Sequence, residues 1–218
     1  MPEIKLIVFD WDGTLVDSEQ RIVRAMQDAM ADVGIEPLAD ATIRDIIGLG
    51  LSVAIETLLP AHSSAEHQAV ADAYRARFLA PDQRARSFPD SAAVLHTLAG
   101  RDFFLGVATG KSRRGLDRDL EETGFKPYFH ATRCADETHS KPHPQMLLDV
   151  IERVGVEPRE TLMVGDTEYD LQMASNAGTH SIGVAYGVHA TDRLLRHHPL
   201  TVLDRLADLI PFLDQSAP

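Results

Sequence analysis

Short apolar runs, each leading through a polar or glycine-rich turn into a helical pattern, recur along this chain of 218 residues. They predict strands over residues 6–9, 103–108, 161–164 and 181–185. This repeated order of strand, turn and helix indicates an α/β fold, a doubly wound parallel sheet covered by helices on both faces. Such sheets bind ligands beyond the carboxyl ends of their strands, so we expect the functional residues in the turns that follow these runs.

One segment of the chain does not follow the repeated order of strand, turn and helix. Between about residues 18 and 88 the sequence shows helical periodicity and no convincing strand. The segment Phe88-Pro89-Asp90 marks the return to the sheet, with Asp90 or Ser91 as the N-cap of the next helix. We therefore predict an all-helical insert (18–88) in an α/β core made of residues 1–17 and 89–218. The periodic positions are Ile22, Met26, Ala29, Met30 and Val33, then Val70, Ala73, Tyr74, Arg77 and Phe78.

The charge and composition of the chain restrict the kinds of molecule that it is expected to bind. A formal charge of −12 and a sequence pI near 5.2 argue against binding to nucleic acid or to an anionic membrane, because such binding depends on clustered Lys and Arg. The uncharged run 46–55 is far shorter than the ~20 residues that cross a bilayer. The single cysteine, Cys134, and a start without the features of a secretory signal predict a soluble, cytoplasmic protein.

The stretch FDWDGTLVDS (9–18) places Asp10 and Asp12 directly after the first predicted strand. Alternate residues of an extended segment point to one side, so the two carboxylates can face one ligand. Taken alone, an Asp-Gly pair more often marks a turn. An EF-hand calcium loop is excluded because it requires glycine at its sixth position, whereas Gly13 falls at the fourth. Two carboxylates this close favour either a bound cation or a split in which one keeps its proton.

The turn after the second predicted strand, VATGKSRRG (107–115), ends like a nucleotide-binding Walker loop. The match fails because Leu105 stands where that loop requires glycine. Thr109 can still hold an anion together with exposed amides at the N-terminus of the next helix. The alternative is that Ser112 is an ordinary N-cap and that Lys111 and the two following arginines are solvated. A second glycine-rich stretch, IGLGLS (47–52), lacks the third glycine of the dinucleotide fingerprint and is interpreted as a turn of the insert that faces the core.

Two later turns also carry charged residues. Lys141, in SKPHPQMLL (140–148), precedes a proline just before a predicted helix, where it can meet an anion or be an ordinary solvated lysine. Asp166 follows Gly165 at the end of a predicted strand, and Asp170 lies about one helical turn further on. The two aspartates can approach one hard cation such as Mg²⁺, with Asp166 as a direct ligand and Asp170 acting directly or through water. Alternatively, Asp166 caps the helix and Asp170 is solvated.

Taken as a set, these motifs resemble the four ordered motifs of the haloacid dehalogenase-like (HAD) hydrolase superfamily. The matching residues are Asp10-x-Asp12-Gly13-Thr14-Leu15, Thr109, Lys141 and Gly165-Asp166-x-x-x-Asp170. The resemblance spans nearly the whole chain. The helical insert is similar to the cap of the subgroup that contains phosphoglycolate phosphatase, sugar-phosphate phosphatases and β-phosphoglucomutase. The resemblance implies a Rossmann-like HAD core with its site at the strand ends, which agrees with the fold expected from the residues.

The resemblance also implies a role for each motif residue. It makes Asp10 the nucleophile that forms an aspartyl-phosphate, and Asp12 the acid/base that protonates the leaving oxygen and then activates water. It makes Thr109 and Lys141 the residues that bind the phosphoryl oxygens, with Gly110 beside them. Gly110 stands where relatives often have asparagine, so one contact to the substrate is expected to be missing.

For the metal, the resemblance implies Mg²⁺ held by Asp10, the backbone carbonyl of Asp12 and Asp166, with Asp170 supporting the site. The expected activity is hydrolysis of a small phosphorylated metabolite, with phosphoglycolate as the leading candidate. Three alternatives stay open: a phosphomutase of the β-phosphoglucomutase type, a non-catalytic phosphate-binding module, and a kinase that binds ATP through Lys111. The sequence is compatible with either a monomer or a homodimer.

Overall fold

The computed structural model describes residues 3–80 and 84–215. Its centre is a six-stranded sheet in the order β3-β2-β1-β4-β5-β6, in which every neighbouring pair is parallel. The predicted α/β class is confirmed. The strands are β1 Leu6–Phe9, β2 Phe104–Thr109, β3 Ala131–Cys134, β4 Thr161–Gly165, β5 His180–Val184 and β6 Val202–Leu203.

The helices cover both faces of the sheet. Leu6 and Val8 of β1 pack with Met146 and Val150 on one face, whereas Ile7 and Phe9 point to the other face. All four residues of β1 are buried, as expected for a central parallel strand. The helices outside the insert are α5 Ser91–Ala99, α6 Arg113–Thr123, α7 Gln145–Val154, α8 Glu168–Ala177, α9 Thr191–Leu195 and α10 Leu209–Gln215.

Two strands were not predicted, and both lie at the edges of the sheet. The central residues of β3, Thr132 and Arg133, are only half-buried, so this strand lacks a continuous apolar run. Strand β6 has only two residues. Of the predicted strands, β1 has the predicted bounds, β4 is one residue longer, and β2 and β5 are each displaced by one residue.

The insert is helical, and its apolar residues form their own cluster. Its helices are α1 Glu19–Asp32, α2 Asp40–Arg44, α3 Leu51–Leu58 and α4 Ser64–Phe78. Of the predicted stripe of α1, all but Val33 are buried, and Val33 lies just after the helix and is partly buried. Met26 and Met30 pack with Ile55, Val70 and Phe78 in a cluster separate from the two sheet faces. No helix within the described ranges is long and apolar enough to span a membrane.

The chain leaves the sheet and returns to it at adjacent points. Val16, at the exit, forms an antiparallel bridge with Ser87, at the return. Asp90 directly precedes α5 as predicted, but its carboxylate pairs with Arg205 at 3.1 Å and does not cap the helix. The Ser91 hydroxyl instead donates a hydrogen bond to the Leu15 carbonyl at 2.8 Å, which ties the return segment to the exit segment.

Candidate active site

The site lies at the carboxyl edge of the sheet, where β2 and β4 flank β1. Asp10 directly follows β1, Thr109 is the last residue of β2, and Asp166 directly follows β4. Lys141 and Asp170 reach the same place from the turn before α7 and from the first turn of α8. All five residues are buried. The structure thus brings together residues that are up to 160 positions apart in the sequence numbering, from Asp10 to Asp170.

Three carboxylates form a compact acidic cluster. Each of Asp10, Asp166 and Asp170 offers an oxygen, and these oxygens all lie within 4.8 Å of one another. The Oδ2 atom of Asp10 is buried and has no hydrogen-bond partner among the described residues. A buried carboxylate oxygen without a partner is costly, so this atom is poised for a ligand that the protein itself does not supply.

Lys141 is the cation inside this cluster. Its Nζ atom lies 2.7 Å from Oδ1 of Asp10 and 2.6 Å from Oδ1 of Asp170, and its side chain is fully buried. Burial opposes the charged form, but the attraction of Asp10 and Asp170 outweighs it and raises the pKa of Lys141 above its ordinary value. The lysine is therefore an ammonium ion. The alternative of a solvated surface lysine is wrong.

One ammonium does not neutralise three carboxylates. Burial raises the pKa of Asp10 well above its ordinary value, although Lys141 opposes this shift. Burial, and then the negative charge of Asp170, raises the pKa of Asp166 to about 7. Carboxylates that repel each other in a buried site favour a hard divalent cation, which would offset the repulsion. The residues present therefore fit a site for such a cation.

The side chain of Asp166 is fixed by two segments. Thr14 donates to its Oδ1 at 2.9 Å, and the backbone N–H of Val188 donates to its Oδ2 at 2.8 Å. Gly13 has a φ of +85°, and a Cβ atom there would lie 2.2 Å from Oδ2 of Asp166. Glycine is therefore required in the first motif both for its backbone conformation and for the close approach of Asp166.

Asp170 is buried, so the alternative that it is solvated is wrong, whereas its role at a metal site stays a prediction. Thr167, and not Asp166, is the N-cap of α8, and its hydroxyl accepts from the Asp170 N–H in a capping box. Oδ2 of Asp170 accepts hydrogen bonds from the N–H and the hydroxyl of Thr167, at 3.1 and 2.7 Å. Its other oxygen, Oδ1, lies 2.6 Å from Lys141 Nζ, so Asp170 also helps to fix Lys141.

Asp12 lies beside the acidic cluster, and its carboxylate contacts Ser18 and Lys111. Its Oδ1 accepts hydrogen bonds from the Ser18 hydroxyl at 2.5 Å and from Lys111 Nζ at 3.0 Å. The side chain of Lys111 is only 4% exposed, so the alternative that Lys111 is solvated is wrong. Ser112, in contrast, is the N-cap of α6, and its hydroxyl accepts from the Gly115 N–H at 3.3 Å. The predicted metal contact of Asp12 is through its backbone carbonyl, and it stays a prediction.

The turn after β2 meets the insert directly. Thr109 is fully buried, and its hydroxyl accepts a hydrogen bond from the Lys111 N–H at 3.3 Å. At Gly110, a Cβ atom would lie 2.6 Å from the Leu49 carbonyl oxygen and 2.7 Å from that of Gly48. Position 110 therefore has no room for asparagine in this arrangement. The turn IGLGLS faces the core, as interpreted from the sequence.

A cavity of about 380 Å³ opens between these core turns and the insert. The core side of the cavity is polar and includes Asp10, Asp12, Thr109, Gly110 and Lys111. The insert side is largely apolar, with Ile22, Met26, Ile47, Leu49, Tyr74 and Phe78 among its residues. The sequence predicts Tyr74 and Phe78 only as parts of a helical stripe, because its spacing does not distinguish residues that line a cavity from residues of a closed core.

Comparison with known proteins places this chain in a family. The family model described as haloacid dehalogenase-like hydrolase matches residues 7–184. The chain belongs to the haloacid dehalogenase-like hydrolase family. It is 37% identical over 211 residues to "Probable phosphatase IndB" of Dickeya dadantii (strain 3937), covering 94% of this chain and 91% of the relative. It is 32% identical over 216 residues to the phosphoglycolate phosphatase of Yersinia pestis, covering 95% and 92%.

Similarity to a solved structure extends over the whole chain. A hydrolase from Pseudomonas syringae superimposes with a TM-score of 0.89, 23% sequence identity and coverage of 100% of both chains. At this identity the likeness shows the fold alone. Membership in the family, together with relatives named as phosphatases, confirms the sequence-based prediction of a phosphatase-type HAD enzyme.

Proposed function

We propose that the protein is a Mg²⁺-dependent phosphomonoester hydrolase that works through an aspartyl-phosphate on Asp10. The observation that carries this proposal is the buried Oδ2 of Asp10, which has no hydrogen-bond partner among the described residues and belongs to a side chain lining the cavity. An oxygen of Asp10 attacks phosphorus, the bond from phosphorus to the leaving oxygen breaks, and an aspartyl-phosphate forms. Water then attacks this phosphorus, which releases phosphate and restores the carboxylate.

Asp12 is proposed as the acid/base of both steps. It lines the same cavity, and Ser18 and Lys111 fix its carboxylate. In the first step Asp12 gives its proton to the leaving oxygen, which becomes an alcohol. In the second step Asp12 takes a proton from the attacking water. One carboxylate that attacks and another that carries the proton are the division of roles that two neighbouring aspartates allow.

The phosphoryl oxygens need positive partners, because a carboxylate repels a phosphate dianion. Lys141, 2.7 Å from Asp10, supplies one charge, and the Thr109 hydroxyl and the Gly110 N–H supply hydrogen bonds. Asp10, the backbone carbonyl of Asp12 and Asp166 would hold Mg²⁺, with Asp170 fixing Lys141 beside it. The ion supplies charge neutralisation for the transferring phosphoryl group.

Residues 18–88 are proposed as a cap that closes the site over a small phosphorylated metabolite. Phosphoglycolate is the first candidate, supported by the name of the Yersinia pestis relative. The cations lining the described part of the cavity are Lys111, held by Asp12, and Arg75, which pairs with the exposed Asp72 at 2.8 Å and is itself 45% exposed. The apolar insert side offers few partners for sugar hydroxyls or for a second phosphate, which favours a hydrolase over a phosphomutase. The lone buried cysteine supports a cytoplasmic location.

The test is phosphate release from a panel of phosphomonoesters with Mg²⁺, run with the wild type and Asp10→Asn in parallel. The panel includes 2-phosphoglycolate, sugar monophosphates and esters of apolar alcohols. We expect release by the wild type and none by Asp10→Asn. An isomerised sugar phosphate without free phosphate would identify a mutase, and a wild type that releases nothing from any ester would contradict the proposal.

Arg75 provides a second test, of the substrate. Arg75→Met should lower kcat/KM for 2-phosphoglycolate and leave benzyl phosphate unchanged, because only the first ester brings a carboxylate to this side of the cavity. An equal effect on both esters would count against phosphoglycolate.

A further inference from the structure

Lys111 is a second buried lysine at the site, and it does not belong to the acidic cluster around Lys141. Its Nζ atom lies 3.0 Å from Oδ1 of Asp12 and 3.2 Å from Oδ2, so it contacts both oxygens of that carboxylate. The same Nζ lies 3.0 Å from Oδ2 of Asp119, whose side chain is 1% exposed. A buried ammonium between two carboxylates is held in place by both of them.

Asp119 is itself anchored from two sides. Trp11, which stands between Asp10 and Asp12, donates from its indole N–H to Oδ2 of Asp119 at 3.1 Å. Arg21 of α1 lies 3.5 Å from the same oxygen. The contacts therefore form a closed path from Trp11 through Asp119 and Lys111 back to Asp12, the residue that follows Trp11 in the chain.

The insert covers this path. The aromatic ring of Phe78, at the end of α4, lies 4.5 Å from Lys111 Nζ and 4.0 Å from the Arg21 guanidinium carbon, measured to the ring centroid. Both cations thus face the same ring. Phe78 and Arg21 belong to the insert, whereas Lys111 and Asp119 belong to the core, so the contact requires the two units to be in the arrangement seen here.

We propose that Lys111 is a positioning residue that orients the Asp12 carboxylate toward the leaving oxygen. The proposal rests on the function proposed above, in which Asp12 protonates that oxygen. Lys111 touches both oxygens of Asp12, and Asp119 fixes Lys111 from the opposite side. The phosphoryl group already has Lys141 as its cation. Lys111 therefore acts through Asp12, and the presence of Phe78 over it makes this orientation depend on the closed insert.

If Lys111 acts through Asp12, the loss of activity on replacing Lys111 depends on the leaving group of the ester. An alkoxide such as that of benzyl alcohol leaves poorly and needs a proton from Asp12, whereas p-nitrophenolate leaves readily without one. The ratio kcat/KM reports the steps from substrate binding to release of the alcohol, so it includes this first proton transfer and excludes the second. A lysine that bound phosphate, or one that only stabilised the fold, would affect both esters equally.

The experiment measures kcat/KM with benzyl phosphate and with p-nitrophenyl phosphate for the wild type and Lys111→Met. We expect a loss of about 100-fold for benzyl phosphate and of less than about 5-fold for p-nitrophenyl phosphate. Lys111→Arg should restore most of the benzyl phosphate activity. Arg114→Ala is the matched control, because Arg114 is three residues away and exposed. Equal losses on the two esters, or no loss on either, would overturn the proposal.

A second variant covers the case in which Lys111→Met does not fold. Asp119→Asn keeps the shape of the side chain and removes the charge that anchors Lys111, and it should show the same selective loss on benzyl phosphate in smaller degree. Asp117→Asn, on the exposed side of α6, is its control. A wild type inactive on both esters overturns the proposed function and this inference together, whereas an active wild type with an unselective Lys111→Met overturns this inference alone.

Discussion

The ammonium of Lys141 lies 2.7 Å from the carboxylate of Asp10, at the point where three buried aspartates converge. This contact compensates part of the negative charge that the fold concentrates at the carboxyl ends of β1 and β4. The residues of the site therefore depend on one another both for stability and for their charges.

Removing Lys141 should damage both activity and stability. Lys141→Gln leaves Asp10 and Asp170 buried without their cation, which costs about 3–5 kcal/mol for a broken buried ion pair. Loss of a charge at the transferring group should lower kcat by at least about 10²–10³-fold. Phosphate release and urea unfolding measure the two effects. Lys126→Gln, at an exposed position, is the control, and a stable, active Lys141→Gln would contradict this role.

Metal removal should abolish activity reversibly. A chelator should stop phosphate release, and Mg²⁺ should restore it. Mg²⁺ at about 100 times its dissociation constant should also stabilise the folded wild type by about 2.7 kcal/mol, because it binds only the folded site. Asp166→Asn should lose this stabilisation in a thermal-unfolding assay. The same Mg²⁺ stabilisation in Asp166→Asn and in the wild type would place the ion elsewhere.

Gly110→Ala should open the contact between core and insert. The new Cβ atom would lie 2.6 Å from the Leu49 carbonyl oxygen, so the insert must move away from the turn after β2. Because small displacements at a reacting centre are costly, we expect kcat/KM to fall about 10- to 100-fold. Gly100→Ala is the matched control, since a Cβ atom there meets nothing closer than 3.5 Å. Unchanged activity of Gly110→Ala would show that the insert need not contact this turn.

Trp11→Phe should lower stability and spare most of the activity. The Trp11 ring makes edge contacts with Phe125 and Phe129, each with 6.2 Å between centroids, and a phenyl ring can keep part of them. The lost indole N–H leaves Asp119 with its contacts to Lys111 and Arg21. We expect a loss of about 1–2 kcal/mol in the free energy of unfolding, measured with urea. A loss of activity as large as that of Asp12→Asn would show that Trp11 acts in the reaction.

The central strands could be predicted because burial on both faces leaves a continuous apolar run, as in β1. Strand β3 could not, because Thr132 and Arg133 are half-buried at an edge and interrupt that pattern. The convergence of Asp10, Thr109, Lys141 and Asp166 followed from the parallel topology, which places the ends of all strands at one edge.

The environment of Lys111 could not be predicted in the same way. Its partners are Asp12, 99 positions away, and Asp119, on the next helix. Its burial further depends on Phe78 of the insert. In the sequence, a lysine shortly before two arginines at the start of a helix is typical of side chains exposed to solvent. The Lys111 side chain is buried because the insert packs against α6.

The bridge between Val16 and Ser87 joins the two ends of the insert side by side. The insert is therefore attached to the sheet like a single loop whose two ends are held together. Such an attachment lets the insert change in length, sequence or fold without shifting any strand. It would allow the apolar cavity wall, and with it the range of alcohols accepted, to evolve independently of the residues that handle phosphate.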